Sequence, residues 1–177
     1  MKKPFALAIL LFSFFLSCKK SNSGSPSGSY HVTASIAGSA KTFNLSTVAT
    51  TVGSGSNVNL GITGIASATT GESMGVAITN TPSGKPIVAG TYTDTSSKFA
   101  VSMVYRMTTT VQYVNTNDIT NQAANNGTPV VNHMKIVITA IDAATVKGTF
   151  SGDLYLNGDA TAAKKTVTSG DFYAKFQ

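Results

Sequence analysis

Residues 146–156, VKGTFSGDLYL, and residues 169–177, SGDFYAKFQ, decide the fold class of this chain. In both stretches apolar and polar side chains alternate, and a period of two residues is typical of a β-strand with one buried face. Phe172 and Phe176 fall on one face of the closing stretch, and Tyr173 falls on the other. Because chain termini usually fray unless a sheet holds them, we expect the last strand to be paired within the core.

The same alternation recurs upstream, between clusters of Gly, Ser, Asn and Pro. The alternating apolar residues are Val32, Ala34 and Ile36, then Phe43 and Leu45, then Val58, Leu60 and Ile62, then Met74, Val76 and Ile78, then Phe99, Val101 and Met103, and then Met134, Ile136 and Ile138. No stretch after residue 18 has helical periodicity. About nine short strands with turns between them predict an all-β domain over residues 30–177, an antiparallel β-sandwich or open barrel.

The first eighteen residues have the features of an exported lipoprotein precursor. Lys2 and Lys3 precede an apolar run over residues 5–16, which is shorter than the roughly 20 residues of a membrane-spanning helix. A serine and then Cys18 follow directly. This order predicts a signal peptide over residues 1–17 and a lipid on Cys18.

The remaining segment before the domain, residues 18–29, is rich in Ser and Gly and predicts a flexible tether. The root-mean-square end-to-end distance of such a flexible segment is about 18 Å. Cys18 is the only cysteine, so its acylation leaves no thiol for a disulfide, a nucleophile or a metal site.

The net charge of +6 does not indicate nucleic acid as a partner. Four of the lysines precede residue 21, which leaves the domain near +2. Its basic residues are scattered rather than gathered in a stripe with aromatic residues. Lys19 and Lys20 would instead lie beside anionic lipid headgroups, so we expect a membrane partner through the anchor.

Several segments resemble the small single-domain lipoproteins of unknown function that are common in Bacteroidota. They are SCKK (17–20), TASIAGSAKTFN (33–44), PIVAGTY (86–92), VKGTFSGDLY (146–155) and SGDFYAKF (169–176). The resemblance implies a β-sandwich and brings no catalytic residues with it. Lys19 is not the aspartate that retains lipoproteins at the inner membrane, so we expect the outer membrane, with the periplasmic face and the cell surface both open.

Few side chains suggest catalysis, a metal or a cofactor. His31 and His133 have no carboxylate or second histidine at ligand spacing, so we expect both to be solvated on outward strand positions. Glu72 is the only glutamate, and the aspartates lie mostly in turn-like contexts. We therefore predict no enzyme, metal or cofactor, although carboxylates from distant strands would still allow a hydrolase.

Two features suggest a ligand. The longest polar loop, residues 115–129, carries side chains suited to sugar hydroxyls, namely Asn115, Asn117, Asp118 and Asn121. If the last two strands pair, they also place two aspartates and two tyrosines on one exposed face, namely Asp153, Tyr155, Asp171 and Tyr173.

Two functions follow as expectations. The first is a lipid-anchored envelope protein whose β domain has a non-catalytic structural or interaction role, with an envelope protein as one possible partner. The second is a glycan- or peptide-binding module that uses the Asn-rich loop and the tyrosine face.

Overall fold

A computed structural model describes residues 29–53, 58–80, 85–115 and 132–177. These residues form eleven strands and no helix. In chain order the strands are β1 His31–Ile36, β2 Ser39–Phe43, β3 Ser46–Val52, β4 Asn59–Ile65, β5 Ser73–Asn80, β6 Gly90–Thr93, β7 Phe99–Arg106, β8 Gln112–Val114, β9 Lys135–Ile141, β10 Thr145–Leu156 and β11 Lys164–Phe176.

All eleven strands belong to one sheet, in the order β2-β1-β11-β3-β4-β5-β7-β8-β10-β9-β6. The additional pairing of β10 with β11 closes seven of them into a hydrogen-bonded ring, β11-β3-β4-β5-β7-β8-β10. Every pairing is antiparallel except that of β3 with β11, which is parallel and makes the sheet mixed. The hairpin of β1 and β2 extends from β11, and β9 and β6 extend from β10.

The hairpin of β10 and β11 is the centre of this arrangement, because these are the two longest strands. They pair with each other along almost their whole length. On its other side β10 pairs first with β9 and then with β8, and β11 pairs with β1 and then with β3. Two strands therefore connect every part of the sheet around one hydrophobic core.

Two phenylalanines and two glycines fit together within this hairpin. Phe150 pairs with Gly170, and Phe172 pairs with Gly148. The phenylalanine rings stack, with centroids 6.4 Å apart and planes at 26°. A Cβ on Gly148 would lie 2.5 Å from the Phe172 ring, and one on Gly170 would lie 2.6 Å from the Phe150 ring. Each ring thus covers the backbone that the opposite glycine leaves open.

The prediction of an all-β fold is confirmed, with eleven strands rather than about nine. Leu45 was expected to continue a core face, but 61% of it is exposed because it lies in the turn between β2 and β3. Within the described ranges no helix is long and apolar enough to cross a membrane. The predicted signal peptide and residues 18–28 of the predicted tether, which include Cys18, lie outside the described residues.

Candidate functional site

A groove runs along the outward face of β9, β10 and β11. It consists of two adjoining cavities of about 320 and 360 Å³ that both include Ser151. These volumes lie at the lower end of the range of about 300–1,000 Å³ that is typical of small-molecule sites. The hydroxyl side chains that line the groove are Thr149, Ser151, Thr166, Thr168 and Ser169.

One end of the groove leads to a pair of tyrosines. Asp171 lines the groove, and Tyr173 is the next residue on the same face of β11. The rings of Tyr30 and Tyr173 lie 5.0 Å apart at an angle of 55°. The ammonium group of Lys147, opposite Tyr173 on β10, lies 4.3 Å from the centroid of its ring. This tyrosine end therefore presents aromatic surface beside a carboxylate and a cation.

The other end of the groove carries His133, and Lys135 lies where the two cavities meet. Lys135 pairs with Ser151 on β10. Nδ1 of His133 lies 3.2 Å from Oδ1 of Asp94, whose side chain is only 6% exposed. The other carboxylate oxygen, Oδ2, accepts a hydrogen bond of 2.7 Å from the backbone N–H of Met134. Asp94 is thus close enough to His133 for an ion pair when the imidazole is protonated, but its Oδ1 makes no hydrogen bond among the described residues.

Asp171 and Tyr173 lie half-buried on the outward face, as predicted. The prediction that Asp153 and Tyr155 share that exposed face is wrong, because they are only 2% and 4% exposed. Asp153 does alternate with Leu154, but three side chains enclose it. The Asp153 carboxylate accepts hydrogen bonds from Thr166 at 2.7 Å, Lys164 at 3.0 Å, and Asn132 at 3.1 and 3.2 Å.

These hydrogen bonds favour the ionised form of the Asp153 carboxyl. Burial alone would raise the pKa of its carboxyl, but the hydrogen bonds from Thr166, Lys164 and Asn132 outweigh burial and lower it. Burial, followed by the nearby charge of Asp153, raises the pKa of Tyr155. Asp153 therefore joins the starts of β9 and β11 to β10 and leaves no free carboxylate for a ligand.

Asn115 has a structural role rather than the predicted ligand contact. Its side-chain Oδ1 accepts the backbone N–H of Met103 at 2.7 Å, and Nδ2 donates to the carbonyl of Val101 at 3.2 Å. The amide side chain thus hydrogen-bonds β7 just where β8 ends. Asn117, Asp118 and Asn121 lie outside the described residues.

The prediction of two solvated histidines holds for His133 and is wrong for His31. His31 is 4% exposed. Its Nδ1 lies 2.7 Å from the carbonyl oxygen of Ser29, and its Nε2 lies 2.7 Å from Oδ1 of Asp171. Each histidine also has an aspartate partner from a distant strand or turn, which the spacing along the chain did not indicate.

The other described carboxylates are also engaged. Glu72 accepts hydrogen bonds from Lys41 at 2.9 Å and Tyr105 at 2.7 Å, and these bonds, first that from Lys41, lower its pKa. Burial, then the bond to Glu72, raises the pKa of Tyr105. Asp142 accepts the backbone N–H groups of Ala144 and Thr145, and these bonds lower its pKa. Asp159 accepts first the hydroxyl and then the backbone N–H of Thr161, and these bonds lower its pKa. Both residues therefore agree with their predicted turn contexts.

Comparison of the chain with known protein families, with curated proteins and with solved structures finds no match.

Proposed function

We propose that this protein is a lipid-anchored envelope protein whose β domain is a non-catalytic interaction module. The anchor rests on residues 1–18, where a basic start, a short apolar run and Ser17-Cys18 stand in the order of a lipoprotein signal. The outer membrane is the proposed location. In the folded domain β1 begins at His31, close to the end of the proposed tether at residue 29.

The observation that supports an interaction role is that the described carboxylates all have structural partners. Six of the seven acidic residues are described, and each has a structural partner within the domain. A hydrolase that uses a general acid and a general base needs two carboxyl groups that face a common substrate. Among the described residues the carboxylates serve turns, ion pairs and strand connections, which favours binding over catalysis.

Replacing Cys18 with serine should abolish attachment to the membrane, because serine offers no thiol for the diacylglyceryl group. Cells that express the wild-type chain and the Cys18→Ser variant would be fed a labelled fatty acid and then fractionated. We expect label and protein in the membrane fraction for the wild type. The variant should carry no label and should be either an uncleaved precursor or a soluble protein. Label retained by Cys18→Ser would overturn the proposed anchor.

A second function, ligand binding, is favoured by the groove. It combines five hydroxyl side chains with His133 at one end, Lys135 where the cavities meet and the tyrosine end at the other end. Such a mixture of hydroxyl, charged and aromatic groups suits a polar ligand with a flat face. We propose that the groove is the binding surface of the interaction module.

A further inference from the structure

We propose that the groove binds an acidic glycan, with an anionic group of the sugar held by His133 and Lys135 and a sugar ring placed against Tyr173. This inference deepens the proposed binding function and rests on it. It is independent of the lipid anchor.

The length of the face indicates a chain of sugars rather than a single ring. Ser151, where the two cavities meet, and Lys147, beside Tyr173, are four residues apart on β10. At about 3.3 Å per residue they are separated by roughly 13 Å. His133 lies beyond Ser151, in the second cavity. A ligand that reaches from His133 to Tyr173 must therefore be extended.

The charges along the face favour an anion. Lys135 and Lys147 supply its cationic groups, and His133 adds an imidazole ring that can hydrogen-bond an oxyanion. The three carboxylates nearby each have a partner. Asp171 pairs with His31, Asp94 lies buried against His133, and Asp153 is enclosed by Asn132, Lys164 and Thr166. Since Asp94 is near Nδ1, the other ring nitrogen of His133 is the one available to a ligand. An oxyanion such as a carboxylate or sulfate matches this end of the groove.

The hydrogen bonding of the sheet argues against a peptide that adds a strand here. Such peptides need an open strand edge with unpaired backbone groups. At the groove, β9 lies between β6 and β10, β10 lies between β9 and β11, and β11 lies between β10 and β1. A ligand therefore meets side chains rather than open backbone groups. Five of these side chains carry hydroxyls, which suit the hydroxyl-rich surface of a sugar.

A membrane surface is also disfavoured as the partner of this face. Proteins that lie in the membrane interface insert exposed apolar side chains among the lipids. The large apolar side chains that are exposed among the described residues include Leu45, Val52, Val88 and Met107, and these do not line the groove. Tyr30 is the exposed aromatic residue at the tyrosine end.

The test uses the full mature protein in detergent and measures binding by calorimetry. The probes are hexagalacturonate, a sulfated hexasaccharide and neutral maltohexaose. We expect at least one acidic hexasaccharide to bind ten-fold or more tightly than maltohexaose, and to bind more weakly as salt is added. Lys135→Ala and Tyr173→Ala should each weaken that binding about ten-fold. Lys98→Ala changes an exposed lysine that does not line the groove and should leave binding unchanged.

Three results would overturn the proposal. They are no binding of either acidic probe, equal binding of maltohexaose, and acidic binding that Lys135→Ala leaves intact. Anionic phosphatidylglycerol vesicles form a further arm, in which Cys18→Ser protein replaces the lipidated chain. Binding to vesicles that Lys135→Ala abolishes, without any glycan binding, would assign the face to the membrane instead. None of these results depends on fatty-acid labelling of Cys18. The proposal of a lipid anchor and the proposal of glycan binding are therefore tested independently.

Discussion

Replacing Phe172 with alanine should lower the free energy of unfolding by about 3–5 kcal/mol. The side chain is 1% exposed, stacks on Phe150 and lies over Gly148. Its removal would leave a cavity in the hairpin that connects all parts of the sheet. Because small domains are stable by only about 5–15 kcal/mol, this single change should remove a large share of the total. Guanidinium unfolding followed by circular dichroism measures it.

Tyr173→Ala is the matched control, one residue along the same strand. Tyr173 is half-buried on the outward face, where its contacts are the ring of Tyr30 and the ammonium of Lys147. Losing these should cost about 1 kcal/mol. An equal loss of stability in both variants would contradict the assignment of Phe172 to the core and Tyr173 to the surface.

Adding one methyl group at Gly148 should be as damaging as removing the Phe172 ring. A Cβ at this position would lie 2.1 Å from the carbonyl oxygen of Val137 and 2.5 Å from Cζ of Phe172. The first neighbour is backbone of a paired strand, so it cannot move without breaking the pairing of β9 with β10. We expect Gly148→Ala to cost about 3 kcal/mol or more, measured as the shift in the unfolding midpoint.

Gly75→Ala is the control for this change. Gly75 lies inside β5, and a Cβ there would have its nearest neighbours at 3.7 Å, an ordinary contact distance. Since alanine loses less backbone entropy than glycine, this variant should be unchanged or stabilised by up to about 1 kcal/mol. A Gly148→Ala protein as stable as Gly75→Ala would show that the close packing of Phe172 over Gly148 is absent.

The sequence allowed the strands and their core faces to be predicted, because alternation is a local signal. Phe172 and Ala174 are buried and Tyr173 lies outward, as the period of two indicated. The two strands that alternation did not predict were β3 and β6. With only four residues, β6 carries too few alternations to stand out from its flanking loops. The sequence of β3, STVATTV, is rich in threonine and buries only Ala49, so it shows no clear apolar face.

The candidate site depended on neighbours that are distant in sequence. Asp153 occupies a polar position in the alternation of β10, as predicted, yet the side chains of Asn132 and Lys164 enclose it. No residue near Asp153 in β10 predicts these contacts. Asp94 and His133 meet because β6 pairs with β9, across 39 residues of chain. The groove requires β9 beside β10, and strand order is a property of the whole fold rather than of any one segment.

The mass of the wild-type protein extracted from membranes tests the lipid anchor most directly. Intact mass spectrometry reports both where the mature chain begins and what is attached to it. We predict a mature chain whose first residue is Cys18 and carries a diacylglyceryl group. A mass that still includes residues 1–17, or any processed chain without lipid, would contradict the proposal that this β domain is held at the membrane through Cys18.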